Sequence, residues 1–190
     1  MSTVNFEYVG SIALVYNDEG EELGRTVVSN YDKTGNLLTL KRFPSELNIG
    51  DTCRLLILTE PSPRECFGKV RSDVGDKVVA LFKWEDKENR GASRFKVNFT
   101  AFIEKMIYGN KSYKLYKPLE ISLMNISTSG MRFYTEPDTV SEGDKFQIRI
   151  YVNLDVKVLI AQIVNCRQTD PNRVEYGCRF LTNRGNIEDR

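Results

Sequence analysis

Phe95-Lys96-Val97-Asn98-Phe99-Thr100-Ala101-Phe102-Ile103-Glu104 alternates apolar and polar residues along its length, with Phe102 as the one exception. An extended chain points successive side chains to opposite faces, so Phe95, Val97, Phe99, Ala101 and Ile103 share one face that must be covered. The stretch is predicted as a strand. The same beat returns at Phe146, Ile148, Ile150 and Val152 and again at Leu154, Val156, Val158 and Ile160. These two runs are expected to form one long bent strand or a hairpin, each with those side chains on a buried face. Turn chemistry falls between such runs at Asn17-Asp18-Glu19-Gly20, Lys33-Thr34-Gly35-Asn36, Asp73-Val74-Gly75-Asp76 and Tyr108-Gly109-Asn110-Lys111. Short strands joined by tight turns predict an all-β chain built as sandwiches or barrels. No stretch carries a helical period of useful length, although the last residues could begin a helix.

The chain has 190 residues, enough for one large domain or two small ones. Lys83-Trp84-Glu85-Asp86-Lys87-Glu88-Asn89-Arg90 interrupts the apolar patterning between Val78-Val79-Ala80-Leu81-Phe82 and the strand at Phe95. Such a charged stretch marks a boundary, because few buried contacts can start from it. Two β-barrel domains are therefore expected, over 1–88 and 89–190, with a linker near 83–94. A short echo fits two similar units: Leu47-Asn48-Ile49-Gly50-Asp51 and Val140-Ser141-Glu142-Gly143-Asp144 each precede an alternating run. A Gly-Asp turn feeding a strand is equally common in unrelated β-proteins.

Charge and composition exclude several function classes. The 27 basic and 26 acidic side chains leave a net charge of +1, so no general field would gather DNA or RNA, and any anion site must be local. Phe99, Phe102 and Tyr108 with nearby lysines could stack single-stranded nucleic acid, but they alternate as core residues do. Histidine is absent, which removes the commonest general base near neutral pH and the commonest zinc ligand. Cys53, Cys66, Cys166 and Cys178 stand far apart without a CxxC pair, and are expected as buried thiols. No metal site, cofactor or catalytic constellation is expected. The N-terminus lacks the basic start and apolar block of a signal peptide, and no apolar run approaches the ~18 residues of a spanning helix. A cytoplasmic protein without membrane insertion is expected.

Two polar segments remain. Arg90-Gly91-Ala92-Ser93-Arg94 lies on the proposed linker just before the strand at Phe95, and Asn125-Ile126-Ser127-Thr128-Ser129-Gly130 joins two apolar-rich runs. Alone, the first reads as a solvated surface. The second reads as a turn in which Asn and Ser bond nearby backbone and Gly accepts unusual dihedrals.

Together and in this order, roughly thirty residues apart, they resemble the PilZ family, whose motifs are RxxxR and (D/N)xSxxG. Tyr176-Gly177-Cys178-Arg179-Phe180 is similar to the GxxF strand that ends that barrel, so the likeness runs from Arg90 to Phe180. The preceding residues look like the split-barrel-like PilZN-type domain of two-domain flagellar-brake proteins. The resemblance implies a receptor, not an enzyme, whose ligand is cyclic di-GMP. It implies that Arg90 and Arg94 contact phosphate and the guanine Hoogsteen edge, that Asn125 and Ser127 bond guanine, and that Gly130, having no side chain, permits a tight turn and close approach. The arginine fork suits both targets, since it offers paired donors to phosphate oxygens and to guanine O6 and N7. Asn89 stands where many members carry a further arginine, which bears on whether one or two ligands bind. Asn165 and Arg167 are candidates for additional contacts. Output would pass to a protein partner in a flagellar motor, a pilus machine or polysaccharide synthesis, from a monomer or a homodimer. A degenerate adapter that no longer binds nucleotide is the alternative.

Overall fold

In the computed structural model, residues 8–41, 47–72, 75–82, 93–152, 155–181 and 188–189 are described. They divide into two compact units, Met1–Thr59 with Pro63–Gly91, and Glu60–Ser62 with Ala92–Arg190. Every regular element among the described residues is a strand. None of them forms a helix long and apolar enough to cross a membrane.

The first unit holds β1 (Ile12–Tyr16), β2 (Glu22–Asp32), β3 (Leu37–Leu40), β4 (Thr52–Ile57), β5 (Arg64–Ser72) and β6 (Lys77–Phe82). They close into a barrel in the order β1-β2-β3-β6-β5-β4, which leaves no free sheet edge around the ring. Its core is filled by alternate residues of each strand, among them Ala13, Val15, Val28, Leu38, Leu55, Ile57, Val70 and Val79. Small β-branched and leucine side chains at these positions suit the narrow interior of a six-stranded ring.

The second unit holds β7 (Phe95–Tyr108), β8 (Lys111–Ile126), β9 (Gly130–Thr135), β10 (Lys145–Val152), β11 (Asp155–Asp170), β12 (Arg173–Phe180) and a two-residue β13 (Glu188–Asp189). The sheet order is β13-β8-β7-β10-β11-β12-β9, and a further pairing of β8 with β9 closes six strands into a ring. Phe133 and Phe146 are fully buried at its centre, edge to face at 6.0 Å, and Phe133 stacks on Tyr176 at 5.3 Å. The alternation predicted from Phe95 holds: Phe95, Val97, Ala101 and Ile103 are buried and Phe99 is half-buried, while Phe102 turns outward and meets the Tyr151 ring edge-on at 5.8 Å. The all-β, two-barrel expectation describes the chain. Residues 182–187, where a C-terminal helix could begin, lie outside the described residues.

Of the two forms left open for the two later runs, the hairpin is the one found, with Val152 opposite Asp155. Two expectations change. In β11 the buried face belongs to Leu159, Ala161 and Ile163, whereas Val156 is exposed and Val158 and Ile160 are half-buried. Register decides this. Leu159 and Ala161 stand opposite Ile148 and Phe146, so the face set by β10 captures the odd-numbered residues of β11. Cys166 is exposed rather than buried, because β11 from Val164 onward projects beyond the covered part of the barrel. The internal echo, finally, is the same turn made twice. Gly50 and Gly143 have φ of 97° and 92°. Asp51 and Asp144 each accept from the amide three residues back, of Asn48 (2.7 Å) and Ser141 (2.9 Å). Val70 and Ile163 each clamp the turn from the neighbouring strand with two backbone hydrogen bonds.

Burial pushes the thiols of Cys53 and Cys178 up to about 12 and that of Cys66 up to about 11. All three are therefore protonated near neutral pH, which makes them poor nucleophiles, although Cys66 is half-buried rather than buried. We expect Ellman's reagent at pH 8 to titrate one thiol of the native protein rapidly, Cys166, and all four after unfolding in guanidinium. Loss of the fast phase in Cys166→Ser checks the assignment.

Candidate functional site

β8 ends at Ile126 and β9 begins at Gly130, so Ser127, Thr128 and Ser129 connect two paired strands. Ser127 holds the turn. Its amide donates to the Gly130 carbonyl (2.8 Å), and its hydroxyl lies 3.1 Å from that carbonyl and accepts from the amides of Gly130 (3.2 Å) and Ser129 (3.3 Å). Only 6% of Ser127 is exposed. The resemblance implies a guanine contact for this hydroxyl; in the fold it also holds the turn, because a short side chain just past a strand end readily reaches its own backbone. Gly130 is needed for closeness rather than for dihedral freedom. It is absent from the glycines with positive φ, but a Cβ there would lie 2.0 Å from the Cys178 carbonyl oxygen of β12.

Around this turn one row of residues crosses five strands. Lys96 of β7 pairs with Asn125 of β8, Asn125 with Arg132 of β9, Arg132 with Gly177 of β12, and Gly177 with Asn165 of β11. Directly opposed residues share a face, and this one is the outer face: Lys96 and Asn165 are exposed, Asn125 and Arg132 half-buried. Gly177 lets the row lie flat. A Cβ there would meet the Asn165 side-chain oxygen at 2.4 Å, so the amide rests over the glycine.

Strict alternation would have pointed both asparagines inward. In β8, Ile121 and Leu123 are buried, which puts position 125 on the core side; one extra residue between the pairs Leu123–Phe133 and Asn125–Arg132 moves Asn125 outward and returns Ile126 to the core. In β11, Ala161 and Ile163 are buried, and one extra residue between the pairs Ile163–Cys178 and Asn165–Gly177 does the same for Asn165. These are β-bulges, which re-aim side chains at the cost of one unpaired residue.

Arg94 is exposed and immediately precedes Phe95, whose partner is Ile126, so it reaches the sheet beside the end of β8. Arg90 and Asn89 lie outside the described residues. Arg167 is exposed on β11 opposite Glu175, two residues beyond Asn165 and on the same face. The fold thus gathers the Arg94 end of β7, Asn125, Asn165 and Arg167 on one surface. Arg132 and Lys96, which the sequence reading passed over, complete it. The available signal was the outward beat of Arg132 between buried Met131 and Phe133.

Arg132 donates to the Glu175 carboxylate at 2.9 Å, and the Tyr134 hydroxyl lies 3.5 Å from the other oxygen. Arg173 stacks over the Tyr134 ring at 4.2 Å. Beyond Tyr134 opens a cleft of about 920 Å³, walled by Phe102, Glu120, Tyr151 and Asp170 among others. Arg94, Lys96, Arg132 and Arg167 outweigh Glu175 on the row's own surface, so the local field is positive in a chain of near-zero net charge. Among the described residues no group of three or more His, Cys, Asp or Glu could hold a metal ion.

Residues 88–190 match the PilZ domain, slightly more than half of the chain, and the chain belongs to the PilZ domain family. PilZ domains are receptors that take cyclic di-GMP as a ligand, and are not enzymes. Similar solved structures include the Bacillus subtilis inhibitor of motility MotI/DgrA, at 10% identity over 94% of this chain and 90% of that one, with a TM-score of 0.36. Another is Escherichia coli YcgR in complex with c-di-GMP, at 13% identity over 90% and 76%, TM-score 0.36. The K. pneumonia MrkH complex with c-di-GMP gives 11% identity over 90% and 78%, TM-score 0.35. Likeness at that level carries no argument, and membership rests on the domain match. No curated protein matches the chain.

Gly130→Ala forces a methyl group into the β12 backbone, which has no flexible side chain to give way. We expect it to lower stability by about 1–3 kcal/mol. A fall in the urea midpoint with an unchanged slope checks this.

Proposed function

We propose that the chain is a receptor for cyclic di-GMP, bound on the outer row of the second barrel and held from the linker by Arg90 and Arg94. The observation that supports this most strongly is the convergence of the Arg94 end of β7 with Asn125, Arg132 and Asn165 on one surface whose charge is positive. A cyclic dinucleotide carries two phosphates and two guanines, and this surface offers guanidinium groups for the former and side-chain amides for the latter. Gly177 lets the Asn165 amide lie low over the sheet, so the row presents a flat surface to a broad planar ligand. In this reading Asn125 and Asn165 bond base edges, Arg167 adds a cation at the rim, and Ser127 and Gly130 shape the turn that sets Asn125 in place.

The chain divides into a PilZN-like domain over 1–88 and the receptor domain over 89–190. Ligand binding engages Arg90 and Arg94 of the linker and biases the arrangement of the two domains, since a ligand shifts an equilibrium only through contacts it makes better in one state. The output passes from the cytoplasmic receptor to a protein partner in motility, pilus or polysaccharide machinery.

Charge-assisted hydrogen bonds contribute about 1.5–3 kcal/mol each. Arg94→Ala and Arg90→Ala should therefore each weaken binding about tenfold to a hundredfold in a calorimetric titration, with an unchanged thermal melt. Wild-type affinity in both variants, or no heat with the wild-type protein, removes the receptor reading. Asn125→Ala tests the amide role in the same assay and should cost about tenfold.

A further inference from the structure

The hairpin of β7 and β8 departs from the chain's charge balance. Between Lys105 and Leu119 the sequence contains Lys105, Lys111, Lys114 and Lys117 and no acidic residue, although the whole chain carries only +1. Tyr108, Tyr113 and Tyr116 lie in the same stretch and are 57%, 43% and 107% exposed. Lys105 and Lys114 stand directly opposite each other across the hairpin. Between the pairs Ile103–Leu119 and Lys105–Lys114 the register slips, so residues 115 to 118 leave the ladder, with Leu115 half-buried and Tyr116, Lys117 and Pro118 exposed to solvent.

This stretch also borders an open edge. On the side of β8 away from β7, β9 pairs with Ser122–Ile126 and β13 with Lys111 and Ser112. Among the described residues no strand lies against Tyr113 to Leu119 between them. The strand at the base of this edge is Glu188–Asp189, an acidic pair of the chain's own sequence, set parallel to Lys111 and Ser112. Lysines and a proline on an edge repel another copy of the same edge, which disfavours self-association here. A strand of opposite charge meets no such barrier, and backbone pairing with acidic side chains over the lysines satisfies both the edge and the charge.

We propose that the Lys111–Lys117 arm of β8 is a docking surface for an extended acidic segment of a partner protein, and that the chain's Glu188–Asp189 strand occupies its base. The arm uses none of the residues assigned to the nucleotide, so it stands whether or not that assignment holds. Tyr116 and Tyr113 would cover the partner's apolar side chains, and the lysines would meet its carboxylates.

The test uses the full chain and a fluorescein-labelled nonapeptide of alternating glutamate and valine, followed by anisotropy, with the lysine-valine peptide as control. Saturable binding of the acidic peptide alone, weakened by added salt, is the expected result. Lys111→Glu/Lys114→Glu/Lys117→Glu should bind about tenfold more weakly or worse, given three attractions turned to repulsions. Tyr116→Ala, a fully exposed position that leaves folding unchanged, should bind more weakly with an unaltered melting curve. The proposal is overturned by absent binding, by equal binding of the lysine peptide, or by affinity that survives the charge reversal. Tighter binding to phosphatidylglycerol vesicles or to a single-stranded oligonucleotide also overturns it.

Discussion

At Gly130 the backbone of β9 comes so close to that of β12 that no side chain fits between them, and the architecture of the second barrel follows from this approach. β9 is the short strand that joins β8 to β12 and closes the ring, and it can do so only if its first residue lies directly on the Cys178 carbonyl. Ser127 fixes the turn that delivers Gly130 there, and the Phe180 amide binds the Ser129 carbonyl at 2.9 Å to lock the turn onto β12. Closure then dictates where everything else lies. It brings Asn125, Arg132 and Gly177 into one row, and it leaves the first half of β8 without β9 beside it.

The electrostatics of the row are local rather than global. Arg132 is already paired with Glu175, and that carboxylate also faces the Tyr134 hydroxyl. A half-exposed pair of this kind contributes little to stability, roughly 0–1 kcal/mol, so an anion that competes for Arg132 displaces a weak interaction. The displaced carboxylate stays near Tyr134 and Arg173 at the wall of the neighbouring cleft. A change at the row is therefore felt a few ångströms away without any large movement of backbone.

Much of this was legible in the residues. Alternation from Phe95 to Ile103, the tight turns and the charged interruption after Phe82 predict two β-units, and the order of the two polar segments points to the family. The repeated Gly-Asp turn was visible as well, though only its hydrogen bonds show that both barrels use it alike. What alternation could not give is phase across an irregularity. The face of β11 was misjudged because Val156, Val158 and Ile160 are as apolar as Leu159 and Ile163, and only the pairing with β10 chooses between them. Cys166 followed, since exposure there depends on how far β11 projects. Arg132 was missed because a lone arginine after a glycine motif has no spacing partner in the sequence; its neighbours lie on three other strands. That Ser127 also holds its own turn was not visible, because a motif identifies a residue without saying which hydrogen bonds it makes to the backbone.

The two β-bulges have a further consequence. Asn125 and Asn165 owe their outward facing to one supernumerary residue each, at Met124 and Val164, and not to anything in their own chemistry. Removing either residue would swing its asparagine toward the core and bring a neighbouring side chain to the surface. A single codon gained or lost can thus redraw this face wholesale, where a substitution exchanges one group and leaves the rest. Divergence among such barrels has a discontinuous route open to it, and hydropathy profiles aligned without gaps would fail to register when it has been taken.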